Sequence, residues 1–378
     1  LGRSGSESLT AFQRSRMKNI GIGEAAQGLL GRTGIPEHTE GVRGLVEGRT
    51  VLVTGAGGSI GSELARQVHG LKPRRLVLLD RDETMLQAMQ LELRGNGLLS
   101  GDELVLASIR DADQMRTVFD SVRPNVVFHA AALKHLPLLE KYPHEAVRTN
   151  VLGTLNVVSA AVGAGADVIV NVSTDKAADP TSVLGASKRV AEILTQAHAV
   201  GISDLSSVRF GNVLGSRGSF LPLLADRVAA GAPVHLTHPD VTRFFMTIPE
   251  AAYLVINAAS MGATGEVFVL DMGQPVRILD LIHNYCALLD APTPEIVVTG
   301  LRPGEKLHEV VFSDSESRTR TSHPLIYRTE PTPIPDDFAY RLAPFEQVER
   351  LSRGEVMDVF LHALGNFRAS TGLVEVAA

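Results

Sequence analysis

Cysteine is nearly missing from this 378-residue chain: Cys286 stands alone, so no internal disulfide can form, and a reducing compartment is implied. No basic run stands out and the formal charge is only −6, which argues against nucleic acid as a partner. No apolar stretch approaches the roughly 18 residues of a membrane helix. The chain opens on Leu1 rather than methionine, so a truncated piece, with a membrane segment lying upstream, stays an open expectation. Internal repeats and low-complexity tracts are missing too, and no metal site is expected. The rest is ordinary for a soluble globular protein: 44% hydrophobic and 21% charged residues, enough for a sizeable core. The length suits two domains, or one large α/β unit with a smaller lobe.

Residues 1–47 are rich in Gly, Ser and Arg, with weak helical spacing over 9–17 broken by Gly21, Gly23 and Gly28. They read as a mobile leader or as an arm docking on a neighbouring subunit. A β-rich run at 49–53 then enters Thr54-Gly55-Ala56-Gly57-Gly58-Ser59-Ile60-Gly61, and helical spacing follows at once (Leu64, Val68, Leu71). Strand, glycine turn and helix form the context of a dinucleotide site. Gly55 permits the tight turn, Gly58 the approach of pyrophosphate, and Gly61 close helix–strand packing, while the amides from Gly57 through Ser59 and Ile60 face phosphate. A second strand, 75–79, delivers Asp80, a carboxylate placed to grip the adenosine ribose. Asp80 would repel a 2′-phosphate, favouring NAD over NADP, with neighbouring Arg81 pulling the other way.

Further strands are expected at 104–107, 126–132, 167–172 and 208–213, with helices over 111–122, 144–157 and 187–197. This alternation predicts a parallel, doubly wound (Rossmann) sheet with a smaller C-terminal substrate-binding lobe. The expected divisions are a leader or arm (1–47), an NAD-binding domain (48–207), a mixed region that completes the sheet and forms the lobe (208–330), and a C-terminal extension (331–378). The extension begins in the Pro-rich 330–336 linker and holds a helix at 356–367. Ala130, Ala131 and Ala132 are small enough for a nicotinamide-ribose to lie against the backbone. Asn150 sits on an otherwise apolar helix side; it satisfies backbone groups there, or kinks the helix and holds a proton-relay water.

The fifth strand runs into Ser173-Thr174-Asp175-Lys176, followed by Leu184 and, one helical turn later, Lys188. Ligands of open α/β sheets bind at this carboxyl edge. Arg243 and Arg302 stand beside turns, where arginine can contact a diphosphate.

Together these motifs resemble the extended short-chain dehydrogenase/reductases, and within them the polysaccharide-biosynthesis branch of UDP-N-acetylglucosamine 4,6-dehydratases. The resemblance covers roughly residues 48–325 and rests on VLVTGAGGSIGSEL (51–64), HAAALKHLPLLE (129–140), TNVLGTLNV (149–157), STDKAADPTSVLGASKR (173–189), VRFGNVLGSRGSF (208–220), THPDVTRFFMTIPEA (237–251) and RPGEKLHE (302–309). It implies NAD as cofactor, a UDP-sugar as substrate, a homo-oligomer, and a location in the cytoplasm or at the inner face of the membrane. It also implies substrate contacts from Lys134, Asn212, Arg217, Arg243, Arg302 and Glu305. Two positions depart from the pattern. Short family members have Tyr where this chain has Leu184, whereas long members often have Met. Ser108, assigned with Ile109 to the cofactor wall, stands where an aspartate commonly contacts adenine.

The implied reaction is an internal redox cycle in which hydride leaves sugar C4, water is lost across C5 and C6, and hydride returns to C6. Lys176 is the expected base at C5, made neutral by nearby Lys188 together with the cationic nicotinamide, and Asp175 the expected acid at C6. Leu184 cannot take the C4 hydroxyl proton. Thr174, Asp175, or a water held by Lys188 and Asn150 would carry it, with Asp175 or the water preferred. A UDP-hexose 4-epimerase and a catalytically inactive nucleotide-sugar sensor are the alternatives.

Overall fold

The computed structural model describes residues 22–31, 36–98, 101–199, 204–262, 264–331 and 333–365. The helical spacing expected over 9–17 lies outside them. Their main sheet has nine strands: β1 (Thr50–Thr54), β2 (Arg75–Asp80), β3 (Leu104–Leu106), β4 (Val126–His129), β5 (Val168–Val172), β6 (Asp204–Arg209), β11 (Thr264–Leu270), β14 (Thr319–Arg320) and β15 (Ile326–Thr329). The spatial order is β14-β15-β11-β6-β5-β4-β1-β2-β3. Strands β3 through β11 run parallel, and β15 and β14 close the far edge antiparallel. The segment 3-2-1-4-5-6 is the doubly wound order. In β1 every residue is buried, and side chains alternate between two cores, Val51 and Val53 facing one and Leu52 the other.

Two strand readings need correction. The run 126–132 stops pairing at His129, and Ala130–Ala132 leave the sheet as coil. Small residues there line a cleft instead of filling a ladder. The run 208–213 is two strands: β6 ends at Arg209, and β7 (Asn212–Leu214) pairs with β10 (Phe245–Thr247) outside the main sheet. The break falls at Gly211, whose missing Cβ would sit 2.8 Å from the Phe244 carbonyl oxygen. β6 also crosses the expected 207/208 division.

The smaller lobe contains the helices Phe220–Ala230 and Ile278–Leu289 with the pairs β8 (Val234–Leu236)/β13 (Ile296–Val298) and β9 (Thr242–Arg243)/β12 (Val276–Arg277). The arm docks on this lobe of its own chain. Ala25 and Ala26, in the helix Ile22–Leu30, are buried among Leu221, Phe245, Ile282 and Cys286. Farther along, Val42 and Val46 join the main core, and the His38 ring stacks on Tyr253. Residues 22–30 and 36–46 are therefore packed against their own chain, and residues 1–21 of the expected leader lie outside the described residues. The C-terminal extension also packs inward. Phe338, Phe345, Val356 and Phe360 cover the helix Val183–Ala197 through Val183, Leu184 and Leu194, with the last helix at Arg353–Leu364.

Candidate active site

The glycine turn comes first because its geometry is purely local. Gly55 has φ +67° and lies so near the Ala130–Ala131 backbone that a Cβ would come within 2.6 Å of the Ala131 nitrogen. A Cβ on Gly61 would lie 2.0 Å from the Gly55 oxygen, so only glycine lets the helix Ser59–Gly70 begin this close to β1. Gly58 is the N-cap of that helix. Asp80, at the end of β2, accepts hydrogen bonds from the Gly57 N–H (2.8 Å) and the Asp82 N–H (3.0 Å). A cavity opens over this turn, lined by Gly55, Gly58, Asp80, Arg81, Ser108 and Ile109, with Ala130–Ala132 as the opposite wall. These residues fit NAD: a helix N-terminus for pyrophosphate, a carboxylate at the ribose end, and no side chain blocking the backbone approach.

The wall continues into a second cavity of about 470 Å³, in the size range of small-molecule sites. Ser59, Ile60, Gly61, Lys134, Leu184 and Asn212 line it, and Thr174, Lys176 and Lys188 meet there. Strand β5 ends at Val172, and Asp175–Ala177 form a single 3-10 turn. The turn is tied to β6, because the Ser173 and Asp175 N–H groups donate to the Val208 and Phe210 carbonyls. Ser182 caps the next helix by accepting from the Gly185 N–H (3.1 Å), which brings Leu184 and Lys188, four residues apart, onto one helix face.

The proton-bearing groups differ from the expectation in two respects. Asp175 has no exposed surface and does not line the cavity; its Oδ1 accepts from Lys176 Nζ (2.9 Å) and from the Thr174 hydroxyl (2.9 Å). Its Oδ2 is buried with no hydrogen-bond partner among the described residues. The wall-facing groups are Thr174 and Lys176, with the carboxylate behind them. The lysines are also exchanged. Burial pulls the Lys176 amine down, but Asp175 and the buried Glu309, 3.8 Å from Nζ, outweigh it and raise its pKa, so it is held as an ammonium. Lys188 is the amine that burial depresses, to about 8, with Glu192 opposing.

The Asn150 amide is spent on protein groups. Its Oδ1 accepts from the Leu133 N–H (2.8 Å), and its Nδ2 donates to the Leu133 carbonyl (3.0 Å) and to Ser187 Oγ (3.0 Å). The helix does distort there, with a π-turn at Val147–Val151. Arg217 sits at the glycine turn, its N–H donating to Ser59 Oγ and its guanidinium touching the Met85 sulfur. Lys134 reaches Ser216 Oγ (3.4 Å). Arg243 and Glu305 pair at 2.8 Å, and the Arg302 N–H donates to Glu305 (3.3 Å); none of the three borders either cavity.

Three features escaped the sequence reading. Glu309 ends the 302–309 motif and could have been noticed there as a carboxylate. Arg209, wholly buried, bonds Glu192 and Glu316 at 2.7–2.8 Å, and Ser173 Oγ donates to Glu192 (2.6 Å), forming a charged floor under β5. His129 is locked between Thr54 and Thr154, and burial, with the Lys188 charge second, drives its pKa to about 3. Nothing in the local sequence marks the last two. Among the described residues, no His/Cys/Asp/Glu group could hold a metal ion, and no helix is long and apolar enough to cross a membrane.

A dinucleotide turn joined to a cavity at the carboxyl edge of a doubly wound sheet is the arrangement of the extended short-chain dehydrogenase/reductases, the superfamily to which the comparisons assign this chain. The model of the polysaccharide biosynthesis protein family matches residues 51–331, and the chain belongs to that family. It is 43% identical over 309 residues to a probable polysaccharide biosynthesis protein, EpsC, of Bacillus subtilis, covering 80% of this chain and 51% of that protein. It is also 33% identical to a UDP-glucose 4-epimerase of Rickettsia rickettsii, over 71% of this chain and 79% of that one. The chain spans about half the length of the first curated relatives it matches. Among solved structures, Pen from Bacillus thuringiensis matches with TM-score 0.70 and 30% identity, over 76% of this chain and 91% of that one. A dTDP-glucose 4,6-dehydratase of Streptomyces venezuelae, solved with NAD, shares the fold (TM-score 0.63, 21% identity, 82% of this chain and 99% of that one).

Proposed function

We propose that this chain converts a UDP-N-acetylhexosamine, UDP-N-acetylglucosamine first, to its 4-keto-6-deoxy form in the cytoplasm, with NAD held by the Gly55–Gly61 turn, Asp80 and Ala130–Ala132. The observation that carries this reading is the Lys176 ammonium on the cavity wall with its paired carboxylate behind it, an acid–base unit that epimerisation at C4 does not need. The chemistry supplied by bound NAD is a reversible hydride store, filled from C4 and emptied onto C6. Lys188, with its pKa near 8, is neutral often enough at physiological pH to accept the C4 hydroxyl proton that no phenol is present to take.

In the proposed step the Lys176 ammonium hands its proton to Asp175 across their hydrogen bond. That transfer frees the amine to take the proton at C5, which the C4 ketone has acidified. Thr174, bonded to Asp175 and facing the cavity, relays the stored proton to the departing C6 hydroxyl, which leaves as water, and Lys176 returns a proton to C5 as hydride adds at C6. Asp175 therefore acts through its neighbours. The Arg243–Glu305 pair and Arg302 are assigned to the UDP diphosphate, the carboxylate releasing the guanidinium as phosphate arrives.

Incubation with UDP-N-acetylglucosamine in deuterated water, read by proton NMR, tests this: a new C6 methyl doublet and solvent deuterium at C5 are expected. An intact hydroxymethyl group with inversion at C4 would overturn it in favour of a 4-epimerase, the reading favoured by the Rickettsia relatives. Tight UDP-sugar binding with no exchange would mean a sensor.

A further inference from the structure

Lys176 makes more ionic contacts than a two-residue pair provides. Its Nζ donates to Asp175 Oδ1 (2.9 Å) and to Asn212 Oδ1 (3.3 Å), and Glu309 Oε1 lies 3.8 Å away with its side chain only 3% exposed. Glu309 reaches this point because the 302–309 segment is hydrogen-bonded along Thr242–Arg243. The Thr242 N–H donates to the Leu307 carbonyl (3.1 Å), Thr242 Oγ1 meets His308 Nδ1 (2.8 Å), and Arg243 donates to the Leu307 carbonyl (3.2 Å). A carboxyl this deeply buried has little reason to be there unless a cation needs it.

We propose that Glu309 is a positioning residue of the acid–base unit: it holds the Lys176 ammonium against the cavity wall and sets the pH at which that amine gives up its proton. This inference rests on the proposed dehydration and adds a third ionisable group to its proton machinery. The charged groups facing Lys176 are Asp175, Glu309 and Arg243; those facing Glu309 are Lys176, Asp175, Arg243 and Lys306. Burial pushes the Glu309 carboxyl above its usual range even beside Lys176, and with the two groups 3.8 Å apart a charge change at one is felt at the other. Because Glu309 shares its segment with Glu305, the partner of Arg243, the inference also gives a route by which diphosphate binding would be felt at Lys176.

The test is a titration of the whole chain carrying lysine labelled with 13C at Cε, with the Lys176 signal assigned by its loss in Lys176→Arg. In Glu309→Gln the Lys176 signal is expected to titrate about one pH unit lower than in the parent, and in Glu309→Asp to return most of the way. An unmoved titration in folded Glu309→Gln overturns the inference, whatever the product; should that variant not fold, Glu309→Met takes its place, and an unmoved Lys176 titration there overturns it equally. Product NMR on the same samples keeps the two readings apart. A shifted titration with no 4-keto-6-deoxy sugar from the parent sinks the dehydratase assignment and leaves the Lys176–Glu309 coupling standing.

Discussion

Two lysines twelve positions apart border one cavity, and their surroundings drive them in opposite directions. Lys188 is buried and Lys176 partly so, its side chain 16% exposed, and desolvation by itself lowers each pKa. Lys176 lies against two carboxylates, Asp175 and Glu309, and stays charged. Lys188 has only the pull of Glu192, whose charge is already bonded to Arg209, and its pKa falls to about 8. Burial therefore does not decide the state of an amine; the count of uncommitted carboxylates around it does.

Lys176→Met would break this contrast most severely. Turnover is expected to fall at least ~100-fold, and urea denaturation should show a loss of roughly 3–5 kcal/mol, because a buried counterion is left unpaired. A variant of parental stability would mean that Asp175 and Glu309 do not depend on the amine. Arg209→Met attacks the charged floor without touching the cavity. A loss of roughly 3 kcal/mol is expected, because two buried carboxylates, Glu192 and Glu316, then have Arg189 as their remaining arginine partner, and thermal melts within a degree of the parent would show the network to be ornamental.

Lys188→Met should do the reverse of Lys176→Met: abolish nicotinamide reduction in a single turnover, read by near-ultraviolet absorbance, and leave the fold intact. The linkage has a definite sign. The folded pKa of Lys188 lies below the ordinary 10.5, so the unfolded chain binds more protons between about pH 8 and 10.5, and this group adds stability as pH rises through that window. Any advantage of Lys188→Met in melting temperature at pH 7 should therefore shrink toward pH 10. Lys176, raised, contributes stability that is fully present below its ordinary value and is lost only above it, so its variant's deficit should stay constant across the same window. Parallel pH profiles for the two variants would erase the distinction. The smallest effect is reserved for Leu184→Met. With Leu184 packed under the C-terminal extension and carrying no proton, initial rates are expected to change less than about threefold.

The alternation of β-rich runs and helical spacing carried the strand order through β6, because each βαβ unit obeys a local period and a fixed handedness. Where a strand stops was less legible. His129 ends β4 because its neighbours, not its own sequence, run out of ladder, and Arg209 ends β6 where the chain must clear Phe244. The packing of Ala25 and Ala26 was not legible for a related reason: their burial depends on Ile282 and Cys286, distant in the sequence.

The glycine turn and Asp80 were readable in full, since contacts between residues 55, 57, 61 and 80 are nearly dictated once strand, turn and helix form. The sequence by itself thus determined the glycine turn with Asp80 beside it and which residue types stand at 174–176 and 188. Only the tertiary structure decided that Asp175 sits behind Lys176, that Lys176 is the charged amine, and that Lys188 is the one eased toward neutrality. Protonation depends on which charges arrive from distant segments, here Glu309 and Arg209, and no local spacing encodes their arrival.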